Sequence, residues 1–182
     1  MTERTDANAE VLAAAQGGDL DAFEKLVRSY TPAVYAHAYR FFGDPTAAED
    51  ASQEVWIKVF RSIDAFDGRS AFTTWLFRVT RNVCLDLVRR GRRMAIPVDP
   101  IHLEGLANND TSEEASIAVD LEAATRALSP EDRDAFDAVA LFGLSYADAG
   151  GALGVPAGTV KSRVFRARRS LITILGLDRA GA

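Results

Sequence analysis

Apolar residues recur along this chain at helical spacing, and no stretch alternates between apolar and polar as a strand would. Glycine and proline clusters divide the pattern into segments. In the first half, helices are predicted from Val11 to Gln16, from Asp21 to Tyr30, from Thr31-Pro32 to Phe42, from Ala47 to Ile63 and from Ala71 to about Arg90, where Gly91 follows. The sequence therefore predicts an all-α fold.

The last fifty residues carry the most complete helix signals. Ser129-Pro130 has a capping serine and a proline at the first helical position, and Gly143 follows the helix. Ser145 then opens a short second helix that ends at Gly154, and a third runs from about Pro156 to Leu175. Two helices joined by a tight turn are typical of a helix-turn-helix, which lays its second helix in the DNA major groove.

The third of these helices has two distinct faces. Its apolar stripe is Val160, Val164, Ala167 and Leu171. Five basic residues and no acidic one accompany that stripe, and arginine suits both guanine edges and phosphates. The residues expected to contact DNA are Thr159, Lys161, Ser162, Arg163, Arg166 and Arg169. The alternative is a solvated basic face on a helix that only packs.

Charge is strongly segregated along a chain of 182 residues whose net charge is −5. Residues 69–93 hold seven basic residues and one acid, and residues 97–125 hold seven acids and no Lys or Arg. Residues 97 to about 117 show no clear periodicity, which favours a linker. We therefore expect two small helical domains, 1–95 and 123–182, joined by a flexible acidic linker, 96–122.

Cysteine and hydropathy limit the classes of protein. The lone Cys84 excludes an internal disulfide and a multi-cysteine zinc site, and its place in an amphipathic helix predicts a small buried residue. No apolar run approaches the length of a membrane span, and no signal peptide is evident. A cytoplasmic protein without membrane insertion is expected.

The helix from Ala71 to Arg90 offers a second basic surface. Its stripe of Phe72, Trp75, Leu76, Val79, Val83 and Leu87 predicts core, and Thr74, Arg78, Arg81, Asn82 and Arg89 form the opposite face. Arginine and asparagine contact base edges and phosphates. Phe66, Phe72 and Trp75 either stack on unpaired bases or belong to the core, and Phe66 is the most open to both interpretations.

Three segments, in this order, resemble a bacterial group 4, or extracytoplasmic-function (ECF), RNA polymerase sigma factor. "AEDASQEVWIKVF" resembles the helix that binds core polymerase, "FDGRSAFTTWLFRVTRNVCLDLVRRGRR" the −10 recognition region, and "LSPEDRDAFDAVALFGLSYADAGGALGVPAGTVKSRVFRARRSL" the −35-binding domain. The resemblance covers about Ala22 to Leu171. It implies a protein that binds core RNA polymerase and directs it to promoters, docking on duplex −35 DNA and melting the −10 strand.

The resemblance also implies roles for particular residues. The residues expected to contact polymerase are Asp50, Gln53, Glu54 and Lys58. The alternative interpretation is that they form an ordinary solvated helix face. By the same resemblance, the residues expected to bind the unpaired −10 strand are Phe66, Asp67, Gly68, Arg69, Ser70, Arg78, Arg81 and Asn82. The linker would pass through the polymerase channel, and an anti-sigma factor is an implied partner.

The chain departs from the family at Ala149, where a larger aliphatic is usual, and at Gly150-Gly151, which predict a weak and mobile second helix. No catalytic residues, cofactor or metal site are expected, because His37 and His102 lack a nucleophile beside them and no phosphate loop is present. A one-component DNA-binding regulator is the competing interpretation, and an enzyme is a distant third.

Overall fold

The computed structural model describes residues 3–94 and 123–177, and all regular secondary structure within those ranges is helical. The predicted linker, 96–122, lies outside the described residues. The helices are α1 (Glu3–Gln16), α2 (Leu20–Phe42), α3 (Pro45–Ser62), α4 (Phe72–Met94), α5 (Pro130–Ala140), α6 (Tyr146–Leu153) and α7 (Ala157–Ile174), with one further helical turn at 123–126.

Helix α2 is continuous, so the helix boundary predicted at Thr31-Pro32 is wrong. Pro32 lies inside the helix, where the missing N–H costs one hydrogen bond. Thr31 donates its hydroxyl to the carbonyl oxygen of Val27 at 2.7 Å, which satisfies one backbone acceptor of that turn. Leu26 and Val34, on either side of the proline, are both buried. Burial on both sides therefore holds one helix across the break that proline chemistry alone predicts.

Helix α4 differs from the prediction in two places. It continues through Gly91 to Met94, and Gly91 has no positive φ. An interior glycine costs about 1 kcal/mol relative to alanine, which weakens a helix without ending it. Thr74, assigned to the polar face, is buried and donates nothing to that surface. Phe72 belongs to the core, and the half-buried Trp75 packs against it. This agrees with the core interpretation of these two aromatic residues.

Three of the caps predicted in the last fifty residues are confirmed, whereas α5 ends at Ala140 with Leu141 as its C-cap and not at Gly143. The Ser129 hydroxyl accepts the backbone N–H of Asp132 at 3.2 Å, and the Ser145 hydroxyl accepts that of Asp148 at 3.1 Å. Gly154 ends α6 in the left-handed region at φ 70°, as only glycine does without strain. The stripe of α7 is buried as predicted: Val160, Val164, Ala167 and Leu171.

The packing of the first helical unit against the second was not predicted from the sequence. One hydrophobic cluster includes Val34 of α2, Phe77 of α4, Ala138 of α5 and Phe142, which follows α5. The ring centroids of Phe77 and Phe142 lie 5.3 Å apart, and the rings meet edge to face with an interplanar angle of 66°. The two helical units expected on either side of the linker therefore share a core rather than standing apart.

Candidate nucleic-acid and polymerase interfaces

Helix α7 presents its predicted DNA-contacting residues around the face opposite its buried stripe. Lys161, Ser162, Arg166 and Arg169 are exposed, whereas Thr159 and Arg163 are half-buried. Ser162 donates its hydroxyl to the carbonyl oxygen of Gly158 at 2.9 Å, one turn earlier in the helix. The basic face is therefore accessible, and it is built on a helix whose inner side is fully packed.

Arg166 is already paired. Its Nε and Nη2 donate to the two carboxylate oxygens of Asp132 in α5, at 3.1 and 2.6 Å. The Arg166 side chain remains 57% exposed, and the hydrogen bonds and charge of Asp132 raise the pKa of its guanidinium. This fork orients Arg166 beside the N-terminal end of α5, and Asp132 competes with any anion that Arg166 would bind.

A groove runs beside this pair between the start of α5 and the second half of α7. Phe165, Arg169 and Ile174 line it together with Arg166 and Asp132. The Phe165 side chain is 61% exposed, and the Arg169 guanidinium lies over its ring at 6.0 Å. Sequence analysis did not select Phe165 or Ile174, because both fit the apolar content of any amphipathic helix.

The loop at 66–70 is braced from within. Phe66 packs against Trp75 and Phe72, with ring centroids 5.4 and 6.1 Å apart, so its side chain anchors the loop. Asp67 accepts the backbone N–H of Arg69 at 3.1 Å and pairs with its guanidinium at 3.0 Å. Gly68 adopts φ 71°, which gives the turn that brings those two residues together.

The polar face of α4 is brought against the second helical unit. Arg78 and Asn82 are exposed, and the Arg78 guanidinium lies against Gly151 of α6. Arg81 Nε donates to the Asp134 carboxylate of α5 at 2.6 Å. The loop and the α4 residues lie on one continuous segment, but Arg81 alone among them has a carboxylate partner from beyond the linker.

The polar residues of α3 expected at the polymerase are divided between its exposed side and its edge beside α4. Asp50, Gln53 and Lys58 are exposed, and Glu54 is half-buried beside α4 with Lys58. A groove between α2 and α3 adds residues that sequence analysis did not select: Glu49, Trp56 and Ile57 line it together with Gln53, Val27, Thr31, Tyr35 and Ser52.

Two apolar side chains of α3 are also unexpectedly open. Ile57 is 46% exposed, and Phe60 is 54% exposed, with its ring centroid 5.1 Å from that of Phe23 in α2. Helical spacing alone assigns such residues to the core, whereas among residues 3–94 and 123–177 no helix buries them. The outer surface of α3 is therefore mixed, with acids and apolar groups side by side.

Two protein-family models match separate parts of this chain. Residues 26–94 match Sigma-70 region 2, and residues 118–171 match Sigma-70 region 4. The RNA polymerase sigma-H factor of Pseudomonas aeruginosa is 38% identical over 168 residues, which cover 86% of this chain and 87% of that protein. The chain belongs to the ECF sigma factor family.

Other relatives and solved structures are consistent with this membership. The ECF sigma factor SigE of Mycolicibacterium smegmatis is 38% identical over 157 residues, 84% of this chain but only 61% of that longer protein. The solved structure of CnrH in complex with the cytosolic domain of CnrY superposes with a TM-score of 0.68 at 25% identity, covering 94% of this chain and 99% of that one. The sigma factor RpoE of Bartonella quintana, solved with the anti-sigma factor NepR, gives 0.66 at 29% identity, covering 86% and 98%.

This ECF sigma factor therefore acts in promoter-directed transcription initiation, the function of its family. Region 2 comprises most of α2 with α3 and α4, and region 4 comprises α5, α6 and most of α7. Sigma factors are generally not catalytic. Among the described residues no group of three metal-ligating side chains exists, and no helix there is long and apolar enough to cross a membrane.

Proposed function

We propose that helix α7 reads the −35 element as duplex DNA. Its inner stripe is buried and its outer side carries the exposed basic residues, so the helix can enter a major groove without losing its packing. The residues assigned to this contact are Thr159, Lys161, Ser162, Arg163, Arg166 and Arg169. Arginine side chains suit base edges and phosphates, whereas Lys161 suits phosphate.

The unpaired −10 strand is assigned to the loop and to the polar face of α4. Its residues are Phe66, Asp67, Gly68, Arg69, Ser70, Arg78, Arg81 and Asn82. The loop is held on the core through Phe66, and Gln16 donates its side-chain amide to the carbonyl oxygen of Phe66 at 2.7 Å. A braced loop supports this role, because capture of a flipped base needs a preformed pocket to offset a few kcal/mol of unstacking.

Core polymerase is assigned to the outer side of α3. Asp50, Gln53, Glu54 and Lys58 remain the polar contacts, and the groove with Trp56 and Ile57 extends that surface with apolar area. An exposed apolar patch rimmed by acids is typical of a protein interface. The other partners proposed are promoter DNA and an anti-sigma factor, since RpoE was co-crystallised with the anti-sigma factor NepR, and CnrH was solved with the cytosolic domain of a second protein, CnrY.

The remaining features follow from these three assignments. The chain has no catalytic activity of its own and needs no cofactor, and it works in the cytoplasm with the polymerase. Its working units are residues 1–95 and 123–182, with 96–122 as linker. The observation that carries the proposal is the presence of two basic faces, a partly exposed one on α4 within region 2 and an exposed one on α7 within region 4.

Reconstituted transcription tests this proposal. Core RNA polymerase with and without the purified chain is given a library of fragments from the source genome, and transcripts are sequenced from their 5′ ends. The expected result is a small set of start sites that require the chain and share paired upstream elements. Start sites that do not depend on the chain, or the absence of shared elements, would overturn the assignment.

A further inference from the structure

Gln16, the last residue of α1, links three elements through its side-chain amide. The side chain is half-buried, and its Nε2 lies 3.0 Å from the carbonyl oxygen of Ile63 and 2.7 Å from that of Phe66. An amide nitrogen carries two hydrogens, so each carbonyl oxygen can receive one of them. Ile63 is the C-cap of α3, and Phe66 is the first residue of the loop at 66–70. One side chain of α1 therefore joins the end of α3 to the start of that loop.

The turn between α1 and α2 fixes the backbone that carries Gln16. The N–H of Asp19 donates to the Ala14 carbonyl oxygen at 3.1 Å, and the N–H of Gly18 donates to that of Ala15 at 3.1 Å. Gly18 adopts φ 90°, and these two bonds form the Schellman ending that a left-handed glycine permits. Asp19 then caps the start of α2. The position of Gln16 is therefore set by both helices.

Helix α1 is itself packed on the core of the first helical unit. Ala15 is buried in the main hydrophobic cluster, and Val11 and Leu12 pack against that cluster. The match to Sigma-70 region 2 covers residues 26–94, so Gln16 precedes it. A residue outside the matched segment thus contacts a loop inside it.

The Phe66 carbonyl group marks the point at which the loop leaves the core. The Phe66 ring is anchored on α4, its N–H donates to the Ile63 carbonyl oxygen at 3.2 Å, and its own carbonyl oxygen accepts from Gln16. Because a peptide group is planar, a fixed Phe66 carbonyl fixes the peptide plane that leads into Asp67. The exposed residues 67–69 therefore start from a set direction.

We propose that Gln16 is a positioning residue for capture of the −10 strand, whose amide holds the loop at 66–70 in the shape that receives an unpaired base. The proposal rests on the assignment of this loop to the −10 strand. Gln16 acts through the loop backbone, and its effect is preorganisation: a loop that is already ordered loses less conformational freedom when the strand binds. Loss of both hydrogen bonds should therefore lower strand affinity about tenfold.

Four variants separate the hydrogen-bond donor from the bulk and charge of the side chain. Gln16→Glu keeps the shape, but a carboxylate only accepts and would face two carbonyl oxygens. Gln16→Leu removes the donor without adding charge. Gln16→Lys restores donors, because an ammonium group carries three hydrogens. Ala13→Glu is the control, since it adds a negative charge at an exposed position of α1 and leaves the loop contact in place.

Strand binding is measured on the holoenzyme of core RNA polymerase and the full chain. The probe is a single-stranded oligonucleotide with the non-template −10 sequence of a promoter found by start-site sequencing. Binding should be about tenfold weaker with Gln16→Glu and Gln16→Leu, and close to wild type with Gln16→Lys and Ala13→Glu. Circular-dichroism melts establish which variants are folded at the assay temperature, and −35 duplex binding should be unchanged in all four.

Wild-type strand binding by either folded variant that lacks the donor would overturn the proposal, as would a loss that Gln16→Lys does not repair. Replacement of residues 66–70 by a Gly-Ser sequence then separates bracing of the loop from a general structural role. In that background Gln16→Glu should have no further effect, because the shape that Gln16 holds is already lost. A further tenfold loss there would place the action of Gln16 elsewhere and would also overturn the proposal.

The same loop replacement distinguishes this proposal from the assignment beneath it. If the replacement alone leaves strand binding unchanged, the −10 assignment of the loop is wrong and the role of Gln16 is overturned with it. If the replacement weakens strand binding but Gln16→Glu and Gln16→Leu do not, the assignment stands and only the positioning role is contradicted.

Discussion

Gly150 lies so close to Val155 that a β-carbon on it would sit 2.7 Å from the Val155 carbonyl oxygen. The backbone N–H of Val155 also donates to the Gly150 carbonyl oxygen at 3.0 Å, which closes the turn of the helix-turn-helix. Both Gly150 and Gly151 lower the helix propensity of α6. Gly150 is nevertheless needed, because only a residue without a β-carbon lets the Val155 carbonyl oxygen come so close.

Gly150→Ala should therefore destabilise the chain, although alanine is the better helix former. Gly151 is the matched control, because a β-carbon there meets only the flexible end of Arg78 at 3.6 Å. Gly151→Ala should be neutral or stabilising by up to about 1 kcal/mol. Urea melts of both variants measure this difference. Two variants of equal stability would show that the turn relaxes around an added methyl group.

Substitutions of the arginines and of the lysine on α7 should affect DNA binding in different ways. Arg163→Ala and Arg166→Ala should each weaken specific −35 duplex binding by about tenfold or more and relax sequence preference. Lys161→Ala should instead weaken all sequences alike and flatten the salt dependence by about one charge. Fluorescence anisotropy over a salt series with specific and scrambled duplexes distinguishes the two behaviours. An Arg166→Ala chain with unchanged specific binding would remove that residue from the interface.

Asp132 should restrain DNA binding, because it competes with phosphate and base edges for the Arg166 fork. Asp132→Asn keeps the shape and removes the charge, so −35 duplex affinity should rise. Glu131→Gln is the control. It removes a neighbouring exposed acid that does not take part in the Arg166–Asp132 pair, so it reports the effect of the change in net charge alone. Equal gains in both variants would mean that only long-range charge is felt.

Charge reversal on α3 should abolish polymerase binding without unfolding the chain. Asp50→Lys changes an exposed position and Glu54→Lys a half-buried one at the edge of α4, while the inner residues Val55 and Val59 stay buried. Glu10→Lys, an exposed reversal on α1, serves as a control for charge. Affinity for core polymerase is measured beside a circular-dichroism melt. A folded double variant with normal affinity would place the polymerase contact elsewhere.

Because of Cys84, the free energy of unfolding should decrease as the pH rises through the alkaline range. Burial, and then the negative charge of Asp134, raise the pKa of its thiol from 9.0 to about 12. A folded pKa above the unfolded value means that the unfolded chain loses its proton first, so the contribution is complete below pH 9 and is lost up to pH 12. Relative to Cys84→Ala, wild type should lose about 1.4 kcal/mol per pH unit in that window. Parallel pH profiles in urea melts would refute it.

Local chemistry predicted much of this molecule. Ser129, Ser145 and Gly154 cap their helices as the sequence indicates, because caps depend on residues a few positions apart. The break predicted at Pro32 was wrong because burial of both flanks outweighs a local breaker. The docking of Asp137 on Arg40 joins residues 97 apart, and no local pattern signals such a pairing.

The central claim is that region 2 holds the melted −10 strand while region 4 holds −35 duplex DNA. Permanganate reactivity of −10 thymines, measured with core polymerase on a promoter found by start-site sequencing, tests it most directly. Asn82→Ala, and separately a Gly-Ser replacement of residues 66–70, should leave −35 docking intact and lower thymine reactivity severalfold. Wild-type reactivity in both variants, with normal docking, would contradict the claim.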